Sequence, residues 1–237
     1  MSILWAVIGA IVGLVAGTSL RGAVYRLSVP SGDPARTKCQ QCSAPVRDYL
    51  ASRCGRCGKY LGAPLAIEVI TAGVLALVLG RFGGQPEVVA LAFFAALGVA
   101  LSIIDVAVQR LPDILTLPAY PVLLILLAGA AVFGHDYAAL LRAFLGGLAL
   151  AGSFLLLAVI RPGQLGGGDV KLAGLAGIAL AWIGWPALVF GAALGFLLSA
   201  VVSLVLLAAR RVKLHSAISF GPFLVGGALL AILVSGR

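Results

Sequence analysis

The chain has 237 residues, of which 62% are hydrophobic and 11% are charged. Soluble domains are nearer half apolar and a quarter charged, so this composition excludes an ordinary soluble domain and is typical of a membrane protein. The net charge of +9 would also suit a nucleic-acid-binding protein. The distribution of the basic residues between predicted membrane sides explains that charge better, and no nucleic-acid partner is predicted.

Apolar segments follow one another along the chain, and several reach the roughly 20 residues that a helix needs to cross a bilayer. We therefore expect an all-α, polytopic membrane helix bundle of about eight transmembrane helices, surrounded by membrane lipids. The predicted spans are 3–24, 64–81, 87–108, 114–133, 138–160, 170–184, 186–209 and 218–236. The 31 glycines suit such a bundle, because small residues let helix backbones approach closely in lipid.

Basic residues lie mostly on one side of the predicted membrane. With eight spans and both termini outside, 14 of the 17 Lys and Arg residues fall in cytoplasmic segments. The exceptions are Arg81, Arg142 and Arg237. This bias follows the positive-inside rule and predicts the orientation of the chain.

Residues 28–63 form the only long polar stretch and are predicted to be a separate cytoplasmic loop domain between the first helix, 1–27, and a helical core, 64–237. The loop holds all four cysteines as two C-x-x-C pairs: Cys39, Cys42, Cys54 and Cys57. This spacing predicts a structural four-cysteine zinc site, and the reducing cytoplasm argues against disulfides. Gly55 follows the first cysteine of the second pair and Gly58 follows the other, where tight turns favour residues that tolerate positive φ.

The eight acidic residues divide into two groups. Four lie in loops or turns where water can solvate them: Asp33, Asp48, Glu87 and Asp136. The other four lie within or beside apolar spans: Glu68, Asp105, Asp113 and Asp169. A carboxylate among apolar helices is costly unless it is paired or hydrated, so each of these four is a candidate functional residue.

Asp105 ends the third span and Asp169 opens the sixth. Two helices separate them and return the chain to the same membrane side, so both are expected at the cytoplasmic face. One ionised carboxylate can activate water while a protonated neighbour polarises a carbonyl, which predicts an aspartic peptidase. The glycines at 166–168 would let the backbone approach an extended substrate. His135 and His215 have no neighbours that would make a metal site or a triad.

Three further residues have alternative interpretations. Asp113 follows Pro112 and is predicted to cap the fourth helix, with a secondary role in shaping the site. Glu68 could be a buried acid bonded to a neighbour or part of a cofactor pocket. Lys171 could contact lipid headgroups or favour ionisation of Asp169.

The segment Gly166-Gly167-Gly168-Asp169 is a Gly-x-Gly-Asp motif, followed by Val170-Lys171-Leu172. Together with Asp105, Leu111-Pro112-Asp113, the C-x-x-C pairs, Tyr25-Arg26-Leu27 and Phe220-Gly221-Pro222, it resembles the bacterial type IV prepilin leader peptidase family. The resemblance implies a multi-pass protein of the bacterial inner membrane that cleaves the basic leader of prepilins or pseudopilins after a glycine, at the cytoplasmic face. Many members also N-methylate the new N-terminus with S-adenosylmethionine, a reaction in which Glu68 is a candidate cofactor-binding residue.

The sequence departs from the family pattern at three places. Arg21 stands where an Asn is common, Ser52 stands where a Gly often precedes Arg-Cys, and the 11 residues between Cys42 and Cys54 are fewer than in many bifunctional members. A peptidase without methyltransferase activity is therefore one alternative. A transporter that uses the same acids as ion ligands and a non-catalytic assembly protein are the others.

Overall fold

The computed structural model describes residues 2–30, 32–46, 48, 50, 52–62, 65–161, 165–210 and 219–235. Among these residues it contains eight α-helices: α1 (Ile3–Leu27), α2 (Ala66–Phe82), α3 (Val88–Val108), α4 (Asp113–Gly134), α5 (Tyr137–Ile160), α6 (Gly167–Ile183), α7 (Trp185–Ala208) and α8 (Gly221–Ser235). Isolated bridges join Lys38 to Pro45 and Arg53 to Tyr60. The predicted all-α class is confirmed. His215, Arg47, Arg211, Lys213 and Arg237 lie outside the described residues.

Five helices are long and apolar enough to cross a membrane, judged by length and composition: α1, α3, α4, α5 and α7. The predicted spans at α2 and α6 are helices of 17 residues, and α8 is an apolar helix of 15 residues. At 1.5 Å per residue, 17 residues extend about 26 Å, slightly less than the roughly 30 Å hydrocarbon core. The polytopic membrane architecture follows from the five long helices.

The chain divides into two compact units, Met1–Pro112 and Asp113–Arg237. In the first unit, α1 packs along α2 through Gly9, Gly13 and Gly17, which occur every fourth residue and therefore share one face of α1. A Cβ atom at Gly13 would lie 2.5 Å from the Cα of Ala72. The two helix backbones touch because α1 has no side chains on this face.

The second unit is built around α6, on which every residue from Leu172 to Ile183 is buried. Glycines again allow close packing, since a Cβ at Gly177 would lie 2.5 Å from the carbonyl oxygen of Gly146 on α5. Arg142 of α5 donates from Nε to the carbonyl of Ala181 at 2.6 Å and from Nη2 to that of Trp182 at 2.6 Å. A cation on these last carbonyls stabilises the C-terminal end of the α6 dipole.

Two of the four acids predicted to be solvated have other environments. Glu87 is 7% exposed at the start of α3, so its predicted solvation is wrong. It is the residue that immediately precedes α3, and a short turn in the sequence does not show whether the packed helices bury it. Asp136 caps α5 by accepting a hydrogen bond from the amide of Ala139 at 2.9 Å. Asp33 and Asp48 are exposed, as expected. The division of the chain at residues 27 and 63 remains a prediction.

We predict that Gly13→Ala lowers the melting temperature of the protein in detergent, because the added methyl group forces α1 away from α2. The expected cost is about 1–3 kcal/mol, as for other overpacking changes. Gly73→Ala on α2 is the matched control, since a Cβ there meets nothing within 4 Å. That control should be neutral or gain up to about 1 kcal/mol of helix propensity. Equal melting temperatures for the two variants would contradict the proposed packing.

Candidate active site and metal centre

Each C-x-x-C pair forms a tight turn closed by backbone hydrogen bonds. The Ser43 amide donates to the Cys39 carbonyl, and the Gly58 amide donates to the Cys54 carbonyl, both at 2.9 Å. The residue after each pair has positive φ, which is 56° at Ser43 and 67° at Gly58. The prediction for Gly58 is confirmed. Gly55 does not have positive φ, because the turn reverses only after the second cysteine.

The two turns bring all four sulfur atoms within 4.8 Å of one another. Sγ of Cys39 lies 3.9 Å from that of Cys57, and Sγ of Cys42 lies 3.5 Å from that of Cys54. A disulfide would need about 2.0 Å. Four thiolates at about 2.3 Å from one ion in a tetrahedron would be separated by about 3.8 Å. The predicted cluster of cysteines is confirmed, and it can bind one metal ion.

The backbone of the turns also favours thiolates, the form that binds metal ions. Hydrogen bonds from the amides of Cys57 and Arg56 lower the pKa of Cys54 to about 6. Amides of Gln41 and Cys42 lower the pKa of Cys39 in the same way. At Cys42, a hydrogen bond from the Ala44 amide is outweighed by burial and the neighbouring thiols, which raise the pKa to about 11. The donor set therefore suits a cation in its geometry, and the backbone favours the thiolate at Cys39 and Cys54.

Tyr25 of α1 holds the first cysteine turn against the helix. Its hydroxyl donates to the Lys38 carbonyl at 3.0 Å and accepts from the Gln40 amide at 3.1 Å. The guanidinium of Arg36 lies 5.4 Å from the centre of the Tyr25 ring. The ring belongs to a buried cluster with residues of both turns: Cys39, Ala44, Val46, Cys54 and Leu61. The cysteine loop is thus packed on α1.

Glu68 lies in the first turn of α2 and forms a buried ion pair with Arg21 of α1. Arg21 Nε donates to Glu68 Oε1 at 2.8 Å, and Arg21 Nη2 contacts Oε2. Arg21 is 0% exposed, and its guanidinium lies 5.0 Å from the centre of the Tyr60 ring. The sequence left two interpretations of Glu68 open, a buried acid bonded to a neighbour or part of a cofactor pocket. The ion pair with Arg21 is the contact that the first interpretation requires. Sequence reasoning missed this role of Arg21, which was considered only as a cytoplasmic charge and as a departure from the family pattern.

A cavity of about 230 Å³ lies beside this ion pair and is lined by residues that include Tyr25, Arg36 and Leu61. Small-molecule sites are usually about 300–1,000 Å³. The cavity does not fit the whole S-adenosylmethionine molecule, and the Glu68 carboxylate beside it is already bonded to Arg21.

The two predicted catalytic carboxylates lie on helices of different units. Asp105 is near the end of α3 and is 5% exposed. Asp169 is half-buried in the first turn of α6. Its Oδ2 accepts from the Gly166 amide at 3.2 Å, and its own amide donates to the Gly166 carbonyl at 3.0 Å. Their meeting remains a prediction from topology.

Gly167 and Gly168 belong to the first turn of α6, which begins three residues earlier than predicted. The Asp169 carboxylate accounts for this start, since an acid at the third helical position bonds the amide of the residue before the helix. Only Gly166 is extended, with φ −77° and ψ 149°. Residues 162–164 of the preceding glycine-rich segment lie outside the described residues.

Asp113 and Lys171 contact each other, which the sequence did not predict. Asp113 is the first residue of α4, and its Oδ1 lies 2.5 Å from Lys171 Nζ on α6. Asp113 thus carries a carboxylate in the first turn of α4, where the helix dipole favours it. The sequence suggested that Lys171 contacts lipid headgroups or favours ionisation of Asp169. Neither interpretation included a contact with Asp113.

The fold and these residues define the class: a polytopic α-helical membrane protein with buried carboxylates and a loop whose four clustered cysteines can bind a metal ion. Residues 91–206, which include Asp105, Asp113, Asp169 and Lys171, match the type IV leader peptidase family. The chain belongs to this family and is a membrane peptidase.

Curated relatives match over most of the chain. A prepilin leader peptidase/N-methyltransferase of Burkholderia pseudomallei is 35% identical over 222 residues, covering 86% of this chain and 67% of the relative. Proteins of the same name are 30% identical in Aeromonas salmonicida, covering 88% of this chain and 73% of the relative, and 28% identical in Pseudomonas putida, covering 95% and 89%. No solved structure gives a significant match.

Proposed function

We propose that the chain is a prepilin leader peptidase of the bacterial inner membrane that uses Asp105 and Asp169 as its catalytic pair. The family match supports this proposal most directly, because the matched segment carries both carboxylates. Asp105 is buried in an apolar helix, and a buried carboxylate in a membrane helix is expensive unless function or pairing retains it. The substrate would be a prepilin or pseudopilin with a basic leader, cleaved after a glycine.

The two carboxylates would divide one hydrolysis between them. The ionised member takes a proton from water, and the water oxygen attacks the scissile carbonyl carbon. The protonated member donates its proton to the carbonyl oxygen. Collapse of the tetrahedral intermediate breaks the C–N bond: the leaving nitrogen takes the proton from the first carboxyl group, and the second carboxylate takes a proton back from a hydroxyl of the intermediate. Because the carboxylates interact, they would titrate as a pair.

The positive-inside bias places this chemistry at the cytoplasmic face. Both carboxylates lie near helix ends that the predicted topology puts on the cytoplasmic side. The same topology puts the cysteine loop on the cytoplasmic side and both termini outside. Gly166 and Gly168 would leave the backbone beside Asp169 open to an extended substrate segment.

Replacing either Asp105 or Asp169 with Asn should abolish leader removal, because Asn can neither take nor supply the required proton. Purified variants are incubated with a prepilin from the same genome, and mass spectrometry measures leader loss. Asp48→Asn, a change at an exposed acid of the polar loop, is the control and should cleave normally. Near-normal cleavage by well-folded Asp169→Asn protein would refute the assignment.

We also propose that the four cysteines bind one structural zinc ion. Four protein ligands leave no open position for substrate, so the ion would stabilise the loop and take no part in catalysis. A loop of about 30 residues is too small to fold on its own core, and metal binding would supply the missing free energy.

Elemental analysis should find one zinc per chain, and Cys54→Ser should remove most of it because the turn loses a thiolate ligand. Limited proteolysis within residues 28–62 should then accelerate, while cleavage of prepilin by the helical core is retained. Ser43→Ala is the control, since it changes the same loop without removing a sulfur. A metal-free wild-type protein with a protease-resistant loop would contradict the zinc proposal.

N-methylation of the new N-terminus is the second proposed activity. The names of the relatives favour it, since each includes both peptidase and N-methyltransferase. The donor would be S-adenosylmethionine, for which the cavity beside Glu68 is too small in this structure. A site for the donor would therefore need a different conformation of this region or other residues.

Wild-type protein should add a methyl group to already cleaved pilin supplied with S-adenosylmethionine, as measured by the mass of the N-terminal peptide. Glu68→Gln tests the residue itself. If Glu68 holds the donor or the amine, methylation falls and the melting temperature hardly changes. If Glu68 serves only to neutralise Arg21, the melting temperature falls and both activities decline together. Absence of methylation by wild-type protein that cleaves prepilin would leave the chain a peptidase only.

A further inference from the structure

Lys171 is bonded to α4 at both its side chain and its backbone. Its Nζ pairs with Asp113 Oδ1 at 2.5 Å, and its carbonyl oxygen accepts from the Tyr120 hydroxyl at 2.6 Å. Asp113 and Tyr120 are seven residues apart, which places them on the same face of α4, two turns from each other. Two residues on one face of α4, Asp113 and Tyr120, therefore bond the same residue of α6, Lys171.

The Tyr120 ring packs against a glycine of α6, Gly174. A Cβ atom at Gly174 would lie 2.9 Å from the Tyr120 Cζ atom and closer still to its oxygen. Any side chain at position 174 would displace the ring and break its hydrogen bond to Lys171. Gly174 is thus part of the same contact between α4 and α6.

A lysine so near the start of α6 is not explained by helix stability. The N-terminal end of a helix carries partial positive charge, and a cation there is unfavourable. Side chains two positions apart on a helix do not face each other, so Lys171 is poorly placed to pair with Asp169. Its position is explained by the bond to Asp113, which is exposed enough to be solvated without it.

We propose that Asp113, Lys171 and Tyr120 are positioning residues, which fix the first turn of α6 and thereby the carboxylate of Asp169. Asp169 lies two residues before Lys171 in that turn, and glycines precede it from 166 to 168. Glycine backbone gives little resistance to movement, so contacts made after Asp169, by Lys171, are needed to fix the turn. This inference rests on the proposed peptidase function.

The test is a double-mutant cycle on the full-length protein with prepilin, using Asp113→Ala, Lys171→Ala and the double variant. Misplacing a catalytic group by about 1 Å can cost about 100-fold in rate, so each single variant should lose about 10- to 100-fold in kcat. KM should stay within about twofold, since these residues act on Asp169 and leave substrate contacts unchanged. The double variant should lose no more than the worse single variant, because both remove one interaction.

Tyr120→Phe and Asp113→Glu are the milder variants, and they guard against loss of folding. Tyr120→Phe keeps the ring on Gly174 and removes only the bond to Lys171, so it should lower kcat with an unchanged melting temperature. Asp113→Glu keeps a carboxylate for Lys171 and should recover most of the kcat lost in Asp113→Ala. Hydrogen exchange at amides 167–171 should be faster in Asp113→Ala than in Asp113→Glu.

Wild-type kcat in Asp113→Ala and Lys171→Ala, with Asp169→Asn inactive, would overturn the positioning role and leave the peptidase assignment intact. Losses confined to KM, or additive losses in the double variant, would also overturn it, because they would indicate independent contacts with substrate. An active Asp169→Asn variant would instead refute the proposed function itself.

Discussion

Arg21 and Glu68 meet where the glycine face of α1 reaches the first turn of α2. Gly17 lies against the backbone of Glu68, where a Cβ atom would be 2.6 Å from the Glu68 Cα, so the helices approach closely enough for a bidentate pair. Removing one partner of a buried ion pair typically costs about 3–5 kcal/mol, because a charge is left without compensation. The same guanidinium lies under the Tyr60 ring at the end of the second cysteine turn. The ion pair therefore connects the packing of α1 on α2 with the position of the cysteine loop.

The cost of burying an unpaired charge also explains where charged residues occur in the second unit. Every residue of α6 from Leu172 onward is buried, and most are small or aliphatic. Polar interactions are confined to its ends, with Asp169 and Lys171 in the first turns and Arg142 on the last carbonyls. A helix buried on all sides has little freedom to shift, so its polar end is held by the rest of the unit. That rigidity would suit Asp169 in its proposed catalytic role, which requires a carboxylate held within a fraction of an ångström.

The sequence was sufficient for features that depend on local patterns. All eight predicted apolar segments are helices, and the C-x-x-C spacing predicted the cysteine cluster, because both follow from residues close together in the chain. The ion pairs could not be predicted in this way. Arg21 and Glu68 are 47 residues apart, and Lys171 and Asp113 are 58 apart, so their pairing depends on how helices pack. Glu87 illustrates the same limit, because the sequence places it in a short turn and does not show that the fold buries its side chain.

The cysteine loop and the carboxylates call for different chemistry, and the structure keeps them on different supports. The loop is held on the C-terminal end of α1 by Tyr25 and by the contact of Tyr60 with Arg21, and four sulfur ligands would leave a bound ion no open position. The carboxylates Asp105 and Asp169 are carried by helices with buried, closely packed faces. If Asp105 and Asp169 carry out the proposed hydrolysis, no residue of the loop is needed to move a proton, and proteolysis should be retained when the loop is shortened. In the proposed orientation the new N-terminus of the substrate would emerge on the side of the cysteine loop, so a short loop would affect steps after cleavage, such as N-methylation, more than cleavage itself.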